Sequence, residues 1–261
     1  MEKPPNLKPL LGLILSLLML AACAGDPAED TLTIATAASV RALVEEIANE
    51  YSSTHPIRIH VTSGSTGELA RQVREGARID IFFGADIATA ESLHAVGLAH
   101  GDVIPYATGQ LVLWQHPEAR PRIATLADLD KPAVTIAIAN PEMAPYGAAA
   151  RAILQREGRW TPNIDRIVQA NNVEQAFQFA NTRNVTAAFI SRSLVPTGHS
   201  FLTLAGPESR IQHGAIIVRH SDTPPRTASA FLDHFLSPHT EPTLHKYGFA
   251  SPEPPSPANQ P

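Results

Sequence analysis

Two rhythms of apolar and polar residues alternate along the chain. Compact apolar runs at 32–35, 79–83, 110–114, 134–139, 186–190 and 214–218 read as buried strands, and 57–62 alternates as a half-buried strand should. Between them apolar residues recur at helical spacing. Val40, Leu43, Val44 and Ile47 share one face; Leu69, Val73 and Ala70 share another, in a helix beginning near Glu68. Further helices are predicted over 87–96, through Ala150, Ile153 and Leu154, through Ala176, Phe177 and Ala180, and over 228–236, with a short one beginning near Leu126. Strands that alternate with helices in this way predict an α/β fold of mainly parallel sheets with helices on both faces. Ligands in such sheets sit beyond the carboxyl ends of the strands, where the helices begin.

Four strand-to-helix joints stand out. In the first, the strand at 32–35 passes through Thr36, Ala37 and Ala38 to Ser39, whose hydroxyl is placed to cap the following helix. In the second, 57–62 ends in Ser63-Gly64-Ser65-Thr66-Gly67, where glycines permit close backbone approach and the hydroxyls supply donors. The third follows 134–139: Pro145 sets the turn, and the amides of Tyr146 and Gly147 lie at the next helix start. The fourth has Asn171 or Asn172 as cap and the amide of Val173 in the first turn. Each joint leaves unpaired amides at the positive end of a helix dipole and so suits an anion. Two lie in the first half of the chain and two in the middle, so a cleft between two lobes would bring them face to face. Asp86 reads as a cap for 87–96, and 104–109 as a crossing between lobes.

The amino terminus stands apart from this pattern. Lys3 and Lys8 precede an apolar run over 10–19, too short to span a bilayer and placed as in a signal peptide, and the run ends at Leu20-Ala21-Ala22-Cys23. That tetrapeptide resembles a bacterial lipobox, which implies cleavage before Cys23 and a diacylglycerol anchor on its sulfur. Cys23 is the sole cysteine, so no disulfide forms within the chain. Residues 1–22 are then the lipoprotein signal peptide and 23–30 a flexible tether. At the other end 251–261 is proline-rich and reads as a disordered tail. The 261 residues, 44% hydrophobic, suffice for one large domain or two medium lobes. The net charge of −5 with scattered basic residues and 6% aromatics gives no nucleic-acid signature.

Catalytic signatures are missing. The sequence contains no G-x-S-x-G, no P-loop and no H-E-x-x-H, and its eleven histidines, among them His94, His100, His234, His239 and His245, do not fall at common metal-ligand spacings. Nothing in the residues argues for catalysis, and the expectation is a binding protein, not an enzyme, with no cofactor and no bare metal ion.

Ala37-Ala38-Ser39, Ser63 through Gln72, Asp80 through Asp86, Ala139-Asn-Pro-Glu-Met-Ala-Pro-Tyr-Gly147 and Tyr247-Gly248-Phe249 resemble, in order and spacing, the periplasmic molybdate-binding proteins of ABC importers. The likeness runs from Thr31 to Phe249. It implies a two-lobed type II periplasmic-binding-protein fold, with 31–108 plus 215–250 as lobe 1 and 109–214 as lobe 2, hinged near 106–109 and 205–214. It also implies an oxyanion site made of Ser39, Ser65 and Thr66 from one lobe and the amides of Tyr146 and Val173 from the other, without a cation. The ligand implied is molybdate or tungstate. The partners implied are an ABC permease and, through the anchor, the outer face of a membrane in the cell envelope, with the protein acting as a monomer. Where some members place a Tyr hydroxyl at the end of the strand 186–190, this chain has Ile190, so the preference among molybdate, tungstate and sulfate stays open. A carrier of another oxyanion or small organic anion, and a non-transport surface lipoprotein, are the alternatives.

Overall fold

The computed structural model describes residues 30–219 and 225–252; the expected signal peptide, Cys23, the expected tether up to residue 29 and the expected tail from 253 lie outside the described residues. Among the described residues nine strands form one hydrogen-bonded sheet in the order β2-β1-β3-β9-β4-β7-β5-β6, with β8 paired to β4. The first lobe holds β1 (Asp30–Ala37), α1 (Arg41–Thr54), β2 (Ile57–Gly64), α2 (Thr66–Arg74), β3 (Ile81–Phe83) and α3 (Ile87–Ala95). The long β4 (Ala99–Trp114) crosses to the second, which holds β5 (Ile136–Ala139), α4 (Pro145–Arg156), β6 (Ile167–Ala170), α5 (Val173–Asn181), β7 (Ala187–Ser191) and β8 (Leu202–Thr203). Then β9 (Arg210–Val218) returns, and α6 (Pro225–Phe235) and α7 (Glu241–Lys246) finish on the first lobe's side.

Within each lobe the pairing is parallel, β1 with β2 and β3, β5 with β6 and β7. The departures are β9, antiparallel to β3 and β4, and β4, antiparallel to β7 and β8. The predicted crossing at 104–109 is thus not a break. It is the middle of a sixteen-residue strand, with register irregularities between His100 and Ile104 and between Pro105 and Ala107. Gln110 pairs with Arg210 of β9, and from Leu111 onward β4 pairs with β7, so one strand serves both lobes.

Alternation along β1 and β3 explains the layering. Ile34, Ile81 and Phe83 pack with Leu43, Val44 and Ile47 of α1 and Phe231 and Phe235 of α6. Ala35 and Phe82, one residue out of phase, pack with Leu69, Ala70 and Val73 of α2 and Leu93 of α3 on the opposite face. In the second lobe Ala150, Ile153 and Leu154 of α4, and Ala176 and Ala180 of α5, are buried, whereas Phe177 is half-buried against Trp114. Gly147 must be glycine here: a Cβ would lie 2.1 Å from the Ala139 carbonyl oxygen, so its absence lets α4 start directly above the end of β5.

Candidate anion-binding site

All four joints open on the same cleft. Ser39, Ser65, Thr66, Tyr146 and Val173 line one small pocket with a cavity volume of about 10 Å³, together with Ala37, Ala38, Gly64, Ala85, Ala144, Pro145 and Asn172. No charged side chain lines it.

The local chemistry differs from joint to joint. Asn172 caps α5, accepting from the Gln175 amide at 2.9 Å, while Gln175 Oε1 accepts from the Asn171 amide at 2.7 Å. This reciprocal pair fixes the first turn of α5 and leaves the Val173 amide without an intrahelical partner. Pro145 occupies the first position of α4, where its missing N–H costs nothing, and Tyr146 follows with its amide in the first turn. In α2 the helix begins at Thr66, two residues before the predicted start, with Ser65 at the N-cap and no side-chain cap bond. Thr66 Oγ1 accepts from the Ala85 amide at 3.1 Å, so its own proton is left to donate.

Ser39 requires a correction. It does not cap α1: Val40 holds that position, no side-chain cap bond is made, and Ser39 sits one residue earlier in the turn. The turn is closed by backbone instead, with the Val40 amide donating to the Ala37 carbonyl and the Ala38 amide to that of Gly64. The Ser39 hydroxyl is thereby freed; it is 4% exposed and has no hydrogen-bond partner. Asp86 does cap α3, accepting from the Thr89 amide at 2.5 Å, and lies outside the pocket lining. Ile190 is fully buried in β7 opposite Val112 and is not part of the lining either. Its neighbour Ser191 turns its hydroxyl to the Tyr146 phenol at 3.0 Å.

Three contacts join the lobes around the pocket. The Gly67 amide donates to the Met143 carbonyl at 2.8 Å. Ser193 Oγ donates to the Ser39 carbonyl at 2.6 Å. Arg41 of α1 pairs with Glu174 of α5 at 2.5 Å. Glu174 adjoins Val173, so it would set a negative charge beside the pocket, and Arg41 from the facing lobe offsets it. These contacts span 133 residues for Arg41–Glu174 and 154 for Ser193–Ser39, which is why no local sequence signal announced them. Behind the pocket, burial raises the Tyr146 phenol above its ordinary pKa, with the hydrogen bond from the Ser191 hydroxyl acting the other way.

The arrangement sets hydroxyls and the first turns of α2, α4 and α5 around one small space that no carboxylate lines. It suits a small anion that only accepts hydrogen bonds. A family model described as bacterial extracellular solute-binding protein matches residues 32–250. The chain is 32% identical over 241 residues to the molybdate-binding protein ModA of Azotobacter vinelandii, covering 88% of this chain and 93% of the relative. To the molybdate-binding protein ModA of Rhodobacter capsulatus it is 29% identical over 241 residues, 90% and 92% of the two chains. Among solved structures, the Azotobacter vinelandii periplasmic molybdate-binding protein matches with a TM-score of 0.78 at 26% identity, over 85% of this chain and 100% of that one. The fold is that of the type II periplasmic binding proteins, and the chain belongs to the bacterial extracellular solute-binding protein family.

Proposed function

We propose that this protein captures molybdate, and tungstate with it, and delivers the anion to the permease of an ABC importer, acting as a monomer. The observation that carries this reading is the buried, unpartnered Ser39 hydroxyl in a pocket it shares with Ser65, Thr66, Tyr146 and Val173. A fully deprotonated tetrahedral dianion presents acceptors on every side and meets a donor at each contact. A protonated phosphate would set donor against donor, at about 1 to 3 kcal/mol for each buried group left unsatisfied. Sulfate carries the same charge and is separated by size alone. The relatives named for molybdate support the choice of ligand. Cleavage before Cys23 and acylation of its sulfur would hold the protein at the outer face of the membrane, with the lobes divided at 108/109 and 214/215 and swinging on β4 and β9.

Calorimetry of the purified protein with molybdate, tungstate, sulfate and phosphate tests this. Molybdate and tungstate are expected to bind one to one, at least about tenfold more tightly than sulfate, a difference of about 1.4 kcal/mol. At a hundredfold excess over Kd the ligand should add about 2.7 kcal/mol to the unfolding free energy. Heat from none of the four sinks the oxyanion reading, and a preference for sulfate reassigns the ligand.

A further inference from the structure

Tyr146 faces two ways. It lines the pocket at the first turn of α4, and its buried ring runs back into the place where β4 and β9 cross between the lobes. There Oη lies 3.2 Å from Nε2 of His213, a residue of β9 with no exposed surface. The other imidazole nitrogen, Nδ1, lies 3.2 Å from Tyr106 Oη, which donates to the Gly84 carbonyl at 2.9 Å. In the opposite direction Ser191 Oγ donates to Tyr146 Oη, Ser193 Oγ stands 2.8 Å from Ser191 Oγ, and Ser193 donates to the carbonyl of Ser39. The chain of polar groups leaves the first lobe at Gly84, passes through the crossing and the second lobe, and returns to the first lobe at Ser39.

Counting protons from the Gly84 end sets the direction at the imidazole. Carbonyls only accept, so Tyr106 spends its single proton on Gly84 and must accept from His213 Nδ1–H. Nε2 is then the acceptor, Tyr146 donates to it, and the Tyr146 oxygen is left to accept from Ser191. This tautomer makes both imidazole bonds and keeps the Gly84 bond; with the Ser191 proton on Tyr146 and the Ser193 proton on Ser39, the contact between Ser191 and Ser193 carries none. Room for the relay exists because residue 109 is glycine: a Cβ there would lie 2.1 Å from Tyr146 Oη and 2.8 Å from His213 Nε2.

We propose that His213, as the neutral Nδ1–H tautomer, is a positioning residue for anion capture: it holds the Tyr146 phenol and so sets the start of α4 relative to the Ser39 turn. The proposal rests on the oxyanion reading of the pocket. The titratable groups packed against the imidazole are Tyr106 from β4 and Tyr146 from α4, with the Phe249 ring beside it. Burial pushes the His213 pKa down to about 3, so the tautomer argument holds at neutral pH.

The test is a double-mutant cycle on the full chain. Molybdate titrations compare wild type, Tyr146→Phe, His213→Phe, the double variant and His213→Gln, with unfolding curves to confirm that each folds. Tyr146→Phe keeps the amide and the ring. It and His213→Phe should each weaken binding about tenfold, the double no further than the weaker single, and His213→Gln, which keeps a donor and an acceptor, should return to within about threefold of wild type. Binding by Tyr146→Phe within twofold of wild type, or losses that multiply in the double, overturns the proposal. A second readout needs no ligand: ¹⁵N imidazole spectra at pH 7 should give His213 as Nδ1–H with Nε2 bare, and the opposite tautomer or an imidazolium overturns it. Wild type that binds none of molybdate, tungstate, sulfate or phosphate defeats the reading of the pocket instead, and the tautomer measurement then decides the relay alone.

Discussion

The Ser39 hydroxyl is buried without a partner, and such a group costs the folded chain about 1 to 3 kcal/mol. An acceptor in the pocket removes that cost and adds a charge-assisted bond, so the same atom weakens the empty protein and favours the filled one. Ser39→Ala should therefore move stability and affinity in opposite senses. Binding of molybdate is expected to weaken by roughly 10- to 100-fold, the equivalent of about 1.5 to 3 kcal/mol for a hydrogen bond to a charged group. The ligand-free protein is expected to melt at the same temperature or higher. Calorimetry and unfolding curves on the same preparation check both; a variant that loses stability and keeps its affinity would show that Ser39 serves the turn and not the anion. Thr66 differs, because its oxygen already accepts from the Ala85 amide and so has a structural duty as well.

At the scale of elements, the joints are legible in the sequence because their chemistry is local. Asn172 and Gln175 are three residues apart, Pro145 immediately precedes Tyr146, and Gly64 through Gly67 join the end of β2 to the first turn of α2, so spacing alone marks the helix starts. The strands and the faces of α1 and α2 follow from periodicity for the same reason. What lay beyond reach is whatever depends on two elements meeting: the antiparallel pairing of β4 with β9, the meeting of Tyr146 with His213 67 residues away, and the Arg41–Glu174 pair. Even the cap at Ser39 was misread, since a serine before an apolar helix face signals an N-cap whether or not backbone has already closed the turn. The Arg41–Glu174 pair yields an asymmetric prediction. Both side chains are partly exposed, so the pair itself contributes little to stability, about 0 to 1 kcal/mol. Arg41→Ala, however, leaves Glu174 uncompensated at the helix start that presents Val173, and should weaken molybdate binding about three- to tenfold at low salt, recovering as salt screens the carboxylate. Glu174→Gln should bind as well as wild type or better, and the double variant should follow Glu174→Gln. Equal losses from both single substitutions would show a simple latch, with no charge effect on the anion.

For the whole molecule, the buried polar relay at the crossing of the lobes ties stability to pH. His213 is neutral in the fold, with its pKa pushed down to about 3 by burial, and regains an ordinary value near 6.5 when the chain unfolds. Between those values the unfolded chain binds the extra proton, so stability rises with pH and is lost as pH falls from about 6.5 toward 3, at up to about 1.4 kcal/mol per pH unit. The other clear acid-side shifts act lower down. Asp128, held low by Lys131 and by the Ala124 and Thr125 amides, and Glu46, held low by Lys246 and Tyr247, start from ordinary values of 3.8 and 4.5 and lose their contributions only below those values. The window from pH 6.5 to 4.5 therefore isolates the histidine. Urea unfolding of wild type across that window should show the midpoint falling, and His213→Gln, which has no proton to gain, should show a flat midpoint there while still losing stability below pH 4.5. A wild-type midpoint that does not move between pH 6.5 and 4.5 would mean that the imidazole is hydrated or already protonated in solution, and the relay through the crossing strands would have to be redrawn.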